Sequence, residues 1–342
     1  MQLRYLDYHT CGEPVRIVTS GYPRLEGESL LEKRREARAQ HDAYRRAVML
    51  EPRGHSGMYG VLPVRSSRPE AAFGVLFTHN EGYSTMCGHA TIALGRYAIE
   101  HGLVEAVEPV TRFAIEAPCG LLRLACEVVD GRVGEVRFES VPAFAHTRDR
   151  VVEVPGLGRI ITDIAYGGAF YCILPASRFG LDLLSSPLNS VIEAAVALTD
   201  AVRAGPITHP TEPDLGFLYG TIVTDDARPG EESHNLCVFA ERQIDRSPTG
   251  SGVTARMALD YAKGLVRPGE QRVFRSITGG AFTGRILTEL AQPIAGAVTV
   301  EVGGRSHFAG EGSFTIESDD PLGWGFELPA RFGDLARAAR PA

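Results

Sequence analysis

The sequence predicts an α/β fold built from two pseudo-symmetric halves, on three observations. The chain has 342 residues of ordinary globular composition, 44% hydrophobic and 23% charged, a length that usually divides into about two domains. Short alternating apolar and polar runs, separated by Gly, read as antiparallel strands between a few helical stretches. The halves can also be laid on each other at an offset of 162 positions, Cys87 on Thr249. At that offset Gly88 meets Gly250, Ala93 meets Ala255, Gly102 meets Gly264 and Phe77 meets Phe239. Each half then offers a strand, a loop, a small nucleophile-type residue with Gly, a helix of about four turns and a terminal Gly at the expected C′ position.

The elements follow in order. Residues 3–8 and 13–20 read as strands around a polar turn at Thr10–Gly12. Ser29 and Glu32 form a capping box. It opens a charged helix expected to run to about Leu50, with Pro52 marking its end. A polar loop, Arg53 to Gly60, leads to a short strand at 61–65 and the strand FGVLF at 73–77. The segment MCGHATIALGRYAIEHG carries the first central helix. Residues 111–140 read as antiparallel strands, and the Pro- and Gly-punctuated stretch 142–160 as a linker. In the second half YCILP (171–175), TIVT (221–224) and LCVFA (236–240) are strands, and a helix lies near 189–203. A loop leads to the second central helix in SPTGSGVTARMALDYAKG, followed by strands to about 302. The stretch from Ser306 onward is β-like, then turn-rich. The expected units are 1–154 plus 306–342, carrying Cys87, and 155–305, carrying Thr249.

Composition excludes several classes of function. A net charge of -7 gives no basic surface for nucleic acid or anionic lipid. The N-terminus has no apolar core of a signal peptide, and no apolar stretch approaches a membrane span. The expected compartment is the cytoplasm; a homodimer is allowed. The six cysteines (11, 87, 119, 126, 172 and 237) contain no CxxC pair and read as reduced thiols. His9 and Cys11 lie close together, but no second pair with ligand spacing follows, so no metal is expected. Two lysines, Lys33 and Lys263, sit in helical stretches without a Schiff-base signature. No GxGxxG opens a βαβ unit and no Walker A sequence occurs. No cofactor is expected: side chains do the chemistry.

Cys87 at the start of its helix leaves the Gly88 and His89 amides without intrahelical partners. Those amides and the helix dipole attract an anion and favour a thiolate. Thr249, Gly250 and Ser251 repeat the arrangement. Two facing helix N-termini would hold one carboxylate, with a side chain from each helix on opposite sides of the α-carbon. That geometry suits α-proton abstraction with the carboxylate neutralised by amide donors.

The motifs HTCGEPVRIV (9–18), PRGHSGMYG (52–60), MCGHATIALG (86–95), DRSPTGSG (245–252) and DDPLGWGF (319–326) span nearly the whole chain. In them the sequence resembles the proline racemase superfamily. The resemblance implies a diaminopimelate epimerase-like fold, two pseudo-symmetric domains each with a β-barrel-like sheet around a central helix, and a site between them. It also implies roles. Cys87 is the acid/base; Gly88, His89, Gly250 and Ser251 line the carboxylate. His89 and Asp245 reach the ring nitrogen, and Tyr59 and Phe239 are apolar walls.

The sequence departs from the racemases at Thr249, where they carry a second cysteine. A threonine hydroxyl is too weak an acid to serve two-base inversion near neutral pH. The Cys/Thr pairing resembles the branch that dehydrates trans-3-hydroxy-L-proline to Δ1-pyrroline-2-carboxylate. Hydroxyproline 2-epimerase or proline racemase is the alternative enzyme, and a catalytically inactive imino-acid-binding paralogue the alternative of another class. Locally, Thr249 reads as an N-cap that also lines the site, and Asp245 in its DRSP turn as a substrate contact, with an Asx-turn residue the alternative. His55 and Ser56 are near even as contacts to the 3-hydroxyl. The other five cysteines read as buried small hydrophobes.

Overall fold

Strand and helix signals in this chain are local, and the computed structural model honours most of them. It describes residues 1–227, 231–292 and 294–328. Gln2–Thr10 and Glu13–Ser20 form an antiparallel hairpin. Its turn puts Cys11 and Gly12 at φ 55° and 86°, a region that favours Gly at the second position. Five α-helices occur among the described residues: α1 (Leu30–Gln40), α2 (Asp42–Met49), α3 (Gly88–Glu100), α4 (Leu188–Arg203) and α5 (Gly250–Ala262). Ser29 and Glu32 make the reciprocal capping bonds at α1. The single helix expected from there to Leu50 is instead two, because His41 leaves the helical region at φ -129°. There His41 and Tyr44 pack edge-on, and Tyr44 meets Trp324 at 5.2 Å.

The central helices match the repeat. Both α3 and α5 have 13 residues, and Gly102 and Gly264 follow them at φ 70° and 72°. That is the left-handed C′ conformation which the sequence placed at both. Both helices are buried along most of their length. Strands 2–10, 13–20, 120–129 and 132–139 pack against α3, and strands 59–64, 73–79 and 110–117 extend the sheet on that side. Strands 144–154, 158–166, 170–175, 218–224 and 233–239 pair in succession on the α5 side. Strands 281–290 and 297–304 complete that wrap, and 297–304 pairs antiparallel with 132–139, which joins the two halves. Strand 306–315 returns to pair with 2–10. The stretch expected as a linker is the hairpin of 144–154 with 158–166: its Pro and Gly make a tight turn. Residues of the expected first unit beyond 328 lie outside the described residues.

The N-termini of α3 and α5 abut. A Cβ on Gly88 would stand 2.4 Å from Gly250 Cα, and one on Gly250 would stand 2.6 Å from Gly88 Cα. Only glycine at both positions lets the helices meet so closely, and both obstacles are backbone. Gly88→Ala is therefore expected to cost about 1–3 kcal/mol of stability, as overpacking does, and to lower turnover more than tenfold by parting the helix ends. Thermal melting and turnover check this; a variant with wild-type values for both would contradict the contact.

Candidate active site

The contact between the helix ends is the floor of a narrow, nearly closed cavity of about 10 Å³. Tyr59, Met86, Cys87, Gly88, His89, Tyr171, Tyr219, Cys237, Phe239, Asp245, Thr249 and Ser251 line it. Eight of the nine residues expected at the site are in that wall. The ninth, Gly250, lies directly beneath, against Gly88. His55 and Ser56 are exposed and outside it.

Cys87 and Thr249 both hold the N-cap position, and neither side chain caps its helix. Capping is the ordinary use of threonine there, so that part of the expectation for Thr249 fails. The first amides of both helices keep their donor capacity toward the cavity. Cys87 sits in extended backbone at φ -146°, whereas Thr249 sits at φ 64°. A β-branched residue at positive φ is a genuine outlier, with a cost of about 1–3 kcal/mol. The Thr249 hydroxyl is buried and has no hydrogen-bond partner; the Cys237 thiol lies beside it. Strain and an orphaned hydroxyl in one residue mark a position held for something other than stability.

His89 joins the thiol to the protein frame. Its Nδ1 lies 3.1 Å from Cys87 Sγ, and its Nε2 lies 3.3 Å from the Pro14 carbonyl oxygen. A carbonyl can only accept, so Nε2 carries the proton and Nδ1 presents its lone pair to the thiol. Burial lowers the pKa of His89, with Asp245 and the Pro14 carbonyl working the other way. The lowered thiol pKa expected from the helix N-terminus is not found. Burial pushes Cys87 well above the ordinary thiol range, and the Asp245 and Glu13 carboxylates add to this. The Ala90 amide and Tyr59 oppose the shift without offsetting it. In a nearly dry site, loss of solvation outweighs a dipole.

Asp245 forms the expected Asx turn and also borders the cavity. Its Oδ1 accepts from the Ser247 amide at 2.7 Å, closing an Asx turn, and the side chain lines the cavity. Behind it three motifs converge. Arg246 donates from its amide to Glu13 Oε2 at 2.7 Å and from Nη1 to the Gly57 carbonyl at 2.6 Å. This ties the turn after Gly12 and the loop before Tyr59 to the Asp245 turn. Glu13 is fully buried, and its pKa is pushed well up by burial and by Asp245. The fifth motif acts at a distance: Arg53 Nη1 donates to the Gly323 carbonyl at 2.7 Å, and the Phe326 amide to the Glu51 carbonyl at 2.9 Å.

Aromatic rings make the remaining wall. Tyr59 meets His89 edge-on at 4.9 Å and Phe239 at 6.5 Å. Tyr219 stacks on Phe239 at 5.4 Å, and the Tyr171 hydroxyl lies 2.7 Å from Ser251 Oγ. Sequence reasoning missed Met86, Tyr171, Tyr219 and Cys237. Met86 adjoins the MCGH motif, which was the available signal. The other three lie on largely buried strands whose apolar runs do not reveal an inward face. Cys237, expected to be a plain buried hydrophobe, instead lines the cavity. Among the described residues no three His, Cys, Asp or Glu side chains are placed to hold a metal ion, and no helix is long and apolar enough to cross a membrane.

Comparisons with known proteins agree with this architecture. The chain is 53% identical over 336 residues to trans-3-hydroxy-L-proline dehydratase of Homo sapiens, covering 95% of this chain and 94% of that protein. It is 51% identical over 331 residues to trans-L-3-hydroxyproline dehydratase of Xenopus tropicalis, covering 95% of each. Among solved structures, a hydroxyproline epimerase from Agrobacterium vitis with bound trans-4-hydroxy-L-proline superposes with a TM-score of 0.88 at 26% identity, covering 96% of this chain and 95% of that one. The fold is the expected diaminopimelate epimerase-like α/β type. The family profile described as proline racemase matches residues 5–327, and the chain belongs to the proline racemase family.

Proposed function

We propose that this enzyme is a cofactor-independent hydro-lyase that converts trans-3-hydroxy-L-proline to Δ1-pyrroline-2-carboxylate and water. The observation that carries the reading is the asymmetric pair across the helix contact, a thiol at Cys87 against an orphaned hydroxyl at Thr249. It is supported by relatives of that name at about half identity over nearly the whole chain. One strong acid/base on one face allows removal of the α-proton but not its replacement from the other. That disfavours a hydroxyproline epimerase or a racemase.

In this reading the carboxylate rests on the amides of Gly88, His89, Gly250 and Ser251. Asp245 pairs with the ring ammonium. Tyr59 and Phe239 enclose the ring and keep water out. His89 Nδ1 takes the thiol proton, and the thiolate removes the α-hydrogen. The C–H electron pair becomes the C2–C3 double bond as the C3–O bond breaks. The hydroxyl leaves with a proton as water, and the enamine tautomerises to the pyrroline. The division into 1–154 plus 306–342, with Cys87, and 155–305, with Thr249, is part of this proposal, although strand 144–154 pairs on the α5 side. A cytoplasmic location and a homodimer belong to the same proposal. The test is incubation with trans-3-hydroxy-L-proline and detection of the pyrroline with an aminobenzaldehyde. Product supports the dehydratase; an altered optical rotation without product would indicate an epimerase, and binding alone a sensor.

The Cys87–His89 pair predicts a pH profile. His89 is lowered, so the imidazole is neutral above the ordinary histidine value; Cys87 is raised, so the thiol is neutral below the ordinary thiol value. Between about pH 6.5 and 8.5 the free pair keeps one proton, which moves within it. kcat/KM should then be flat over this range. In His89→Gln the proton must go to solvent, and log kcat/KM should climb with slope one. A slope of one in the wild type would remove His89 as the proton acceptor.

A further inference from the structure

The cavity wall holds two buried hydroxyls without a hydrogen-bond partner, Thr249 Oγ1 and Tyr59 Oη. The second has no use in the account so far. Tyr59 was expected as an apolar wall, and its ring does fill that place, at 2% exposure. A phenylalanine would fill it equally, without the cost of about 1–3 kcal/mol for burying an unpaired polar group. Its polar neighbours are the Ser84 hydroxyl, the Cys87 thiol and the Tyr219 hydroxyl, and none of them stands in hydrogen-bond geometry to it. Ser84 donates its hydroxyl proton to the Met86 carbonyl at 2.9 Å, and the Cys87 thiol is engaged by His89. Of the other two tyrosines in the wall, Tyr171 has its hydroxyl paired with Ser251. Tyr59 thus holds, beside Cys87 in the wall, a donor that no protein group takes.

The stereochemistry of the substrate gives that donor a partner. In trans-3-hydroxyproline the hydroxyl and carboxylate lie on opposite ring faces, so the α-hydrogen and the hydroxyl share a face. If Cys87 takes the α-hydrogen, the leaving oxygen is on the Cys87 face. We propose that Tyr59 Oη donates a hydrogen bond to the 3-hydroxyl oxygen and so determines that the bound imino acid loses water. The inference rests on the dehydratase reading. The proton balance is simple. The proton taken by Cys87 passes to the departing oxygen, which leaves as water, while Tyr59 supplies a hydrogen bond, keeps its proton and ends unchanged. Burial and the nearby Cys87 hold its pKa far above the ordinary phenol range, so it stays a donor throughout.

The test uses wild-type enzyme, Tyr59→Phe and Tyr219→Phe with trans-3-hydroxy-L-proline in deuterated water. Pyrroline formation and α-deuteration of recovered substrate are followed together. In Y59F the ratio of exchange to dehydration should rise at least tenfold. Its affinity for L-proline, which lacks the hydroxyl, should stay within twofold, and its melting temperature should equal or exceed that of wild type. An unchanged ratio overturns the assignment, whether both rates fall or neither does. So does a raised ratio in Y219F but not in Y59F. A melting temperature several degrees below wild type also overturns it, because the hydroxyl would then be a structural donor. Wild-type enzyme that forms no pyrroline overturns the dehydratase reading and this assignment with it. Wild type that dehydrates beside a Y59F of unchanged ratio overturns this assignment alone.

Discussion

Cys87→Ala is expected to lower dehydration at least about a hundredfold, the range for removing a general acid/base, while the protein still folds. Cys87 is 5% exposed and borders the cavity, so truncation removes little packing. Its helix does not depend on the side chain, which makes no cap bond; the first turn is closed instead by Thr91, whose amide and hydroxyl both donate to the Cys87 carbonyl, at 3.0 and 2.7 Å. A stability loss of about 1 kcal/mol is the scale for such a change. Turnover with trans-3-hydroxy-L-proline and a thermal melt check both halves of the expectation. A folded variant that keeps even about a tenth of wild-type turnover, against the usual scale of such losses, would remove Cys87 from the mechanism.

Thr249→Cys should change the outcome of the reaction rather than its rate alone. It puts a second thiol at the end of the helix that abuts α3, which in the proposed pose lies across the α-carbon from Cys87. The backbone tolerates it: at φ 64° an unbranched side chain is less strained than threonine. The thiol also ends the burial of an unpaired hydroxyl. The variant should therefore fold as well as wild type and gain inversion of the α-carbon, seen as the D-configured epimer from hydroxyproline or proline. Dehydration should persist, since Cys87 is untouched. Chiral chromatography of recovered substrate reads the result. A folded variant that exchanges the α-proton but never inverts the centre would show that residue 249 does not face the second side of the ring.

What the sequence revealed was whatever rests on local chemistry. Ser29 and Glu32, and Gly102 and Gly264, mark helix ends because orphan backbone groups at those ends need particular side chains or a left-handed residue. The 162-residue offset carried that logic across the chain, and it brought Cys87, Gly88, Thr249 and Gly250 to one point before any geometry was known. The misses share a cause: they depend on what lies far away in sequence. The break at His41 has no Gly or Pro; it depends on packing around Tyr44 and Trp324. Tyr171, Tyr219 and Cys237 face the cavity from largely buried strands. The sign of the Cys87 shift was misjudged because a dipole can be read from a motif, whereas complete burial beside Asp245 and Glu13 cannot.

The central claim is that one thiol on one face performs the elimination, and the two 3-hydroxyproline isomers of the same α-configuration test it most directly. In the trans isomer Cys87 can take the α-proton and return it to the leaving oxygen without moving far. In the cis isomer the hydroxyl lies on the Thr249 face, where the helix end presents a hydroxyl in place of a thiol and the account gives Cys237 no part. Both isomers are given to the wild-type enzyme in deuterated water, and pyrroline formation and α-deuteration are followed. The account predicts rapid pyrroline formation from the trans isomer, and from the cis isomer α-deuteration with little or no loss of water. Equal dehydration rates for the two would contradict it, because an acid other than Cys87 would then be serving the Thr249 face.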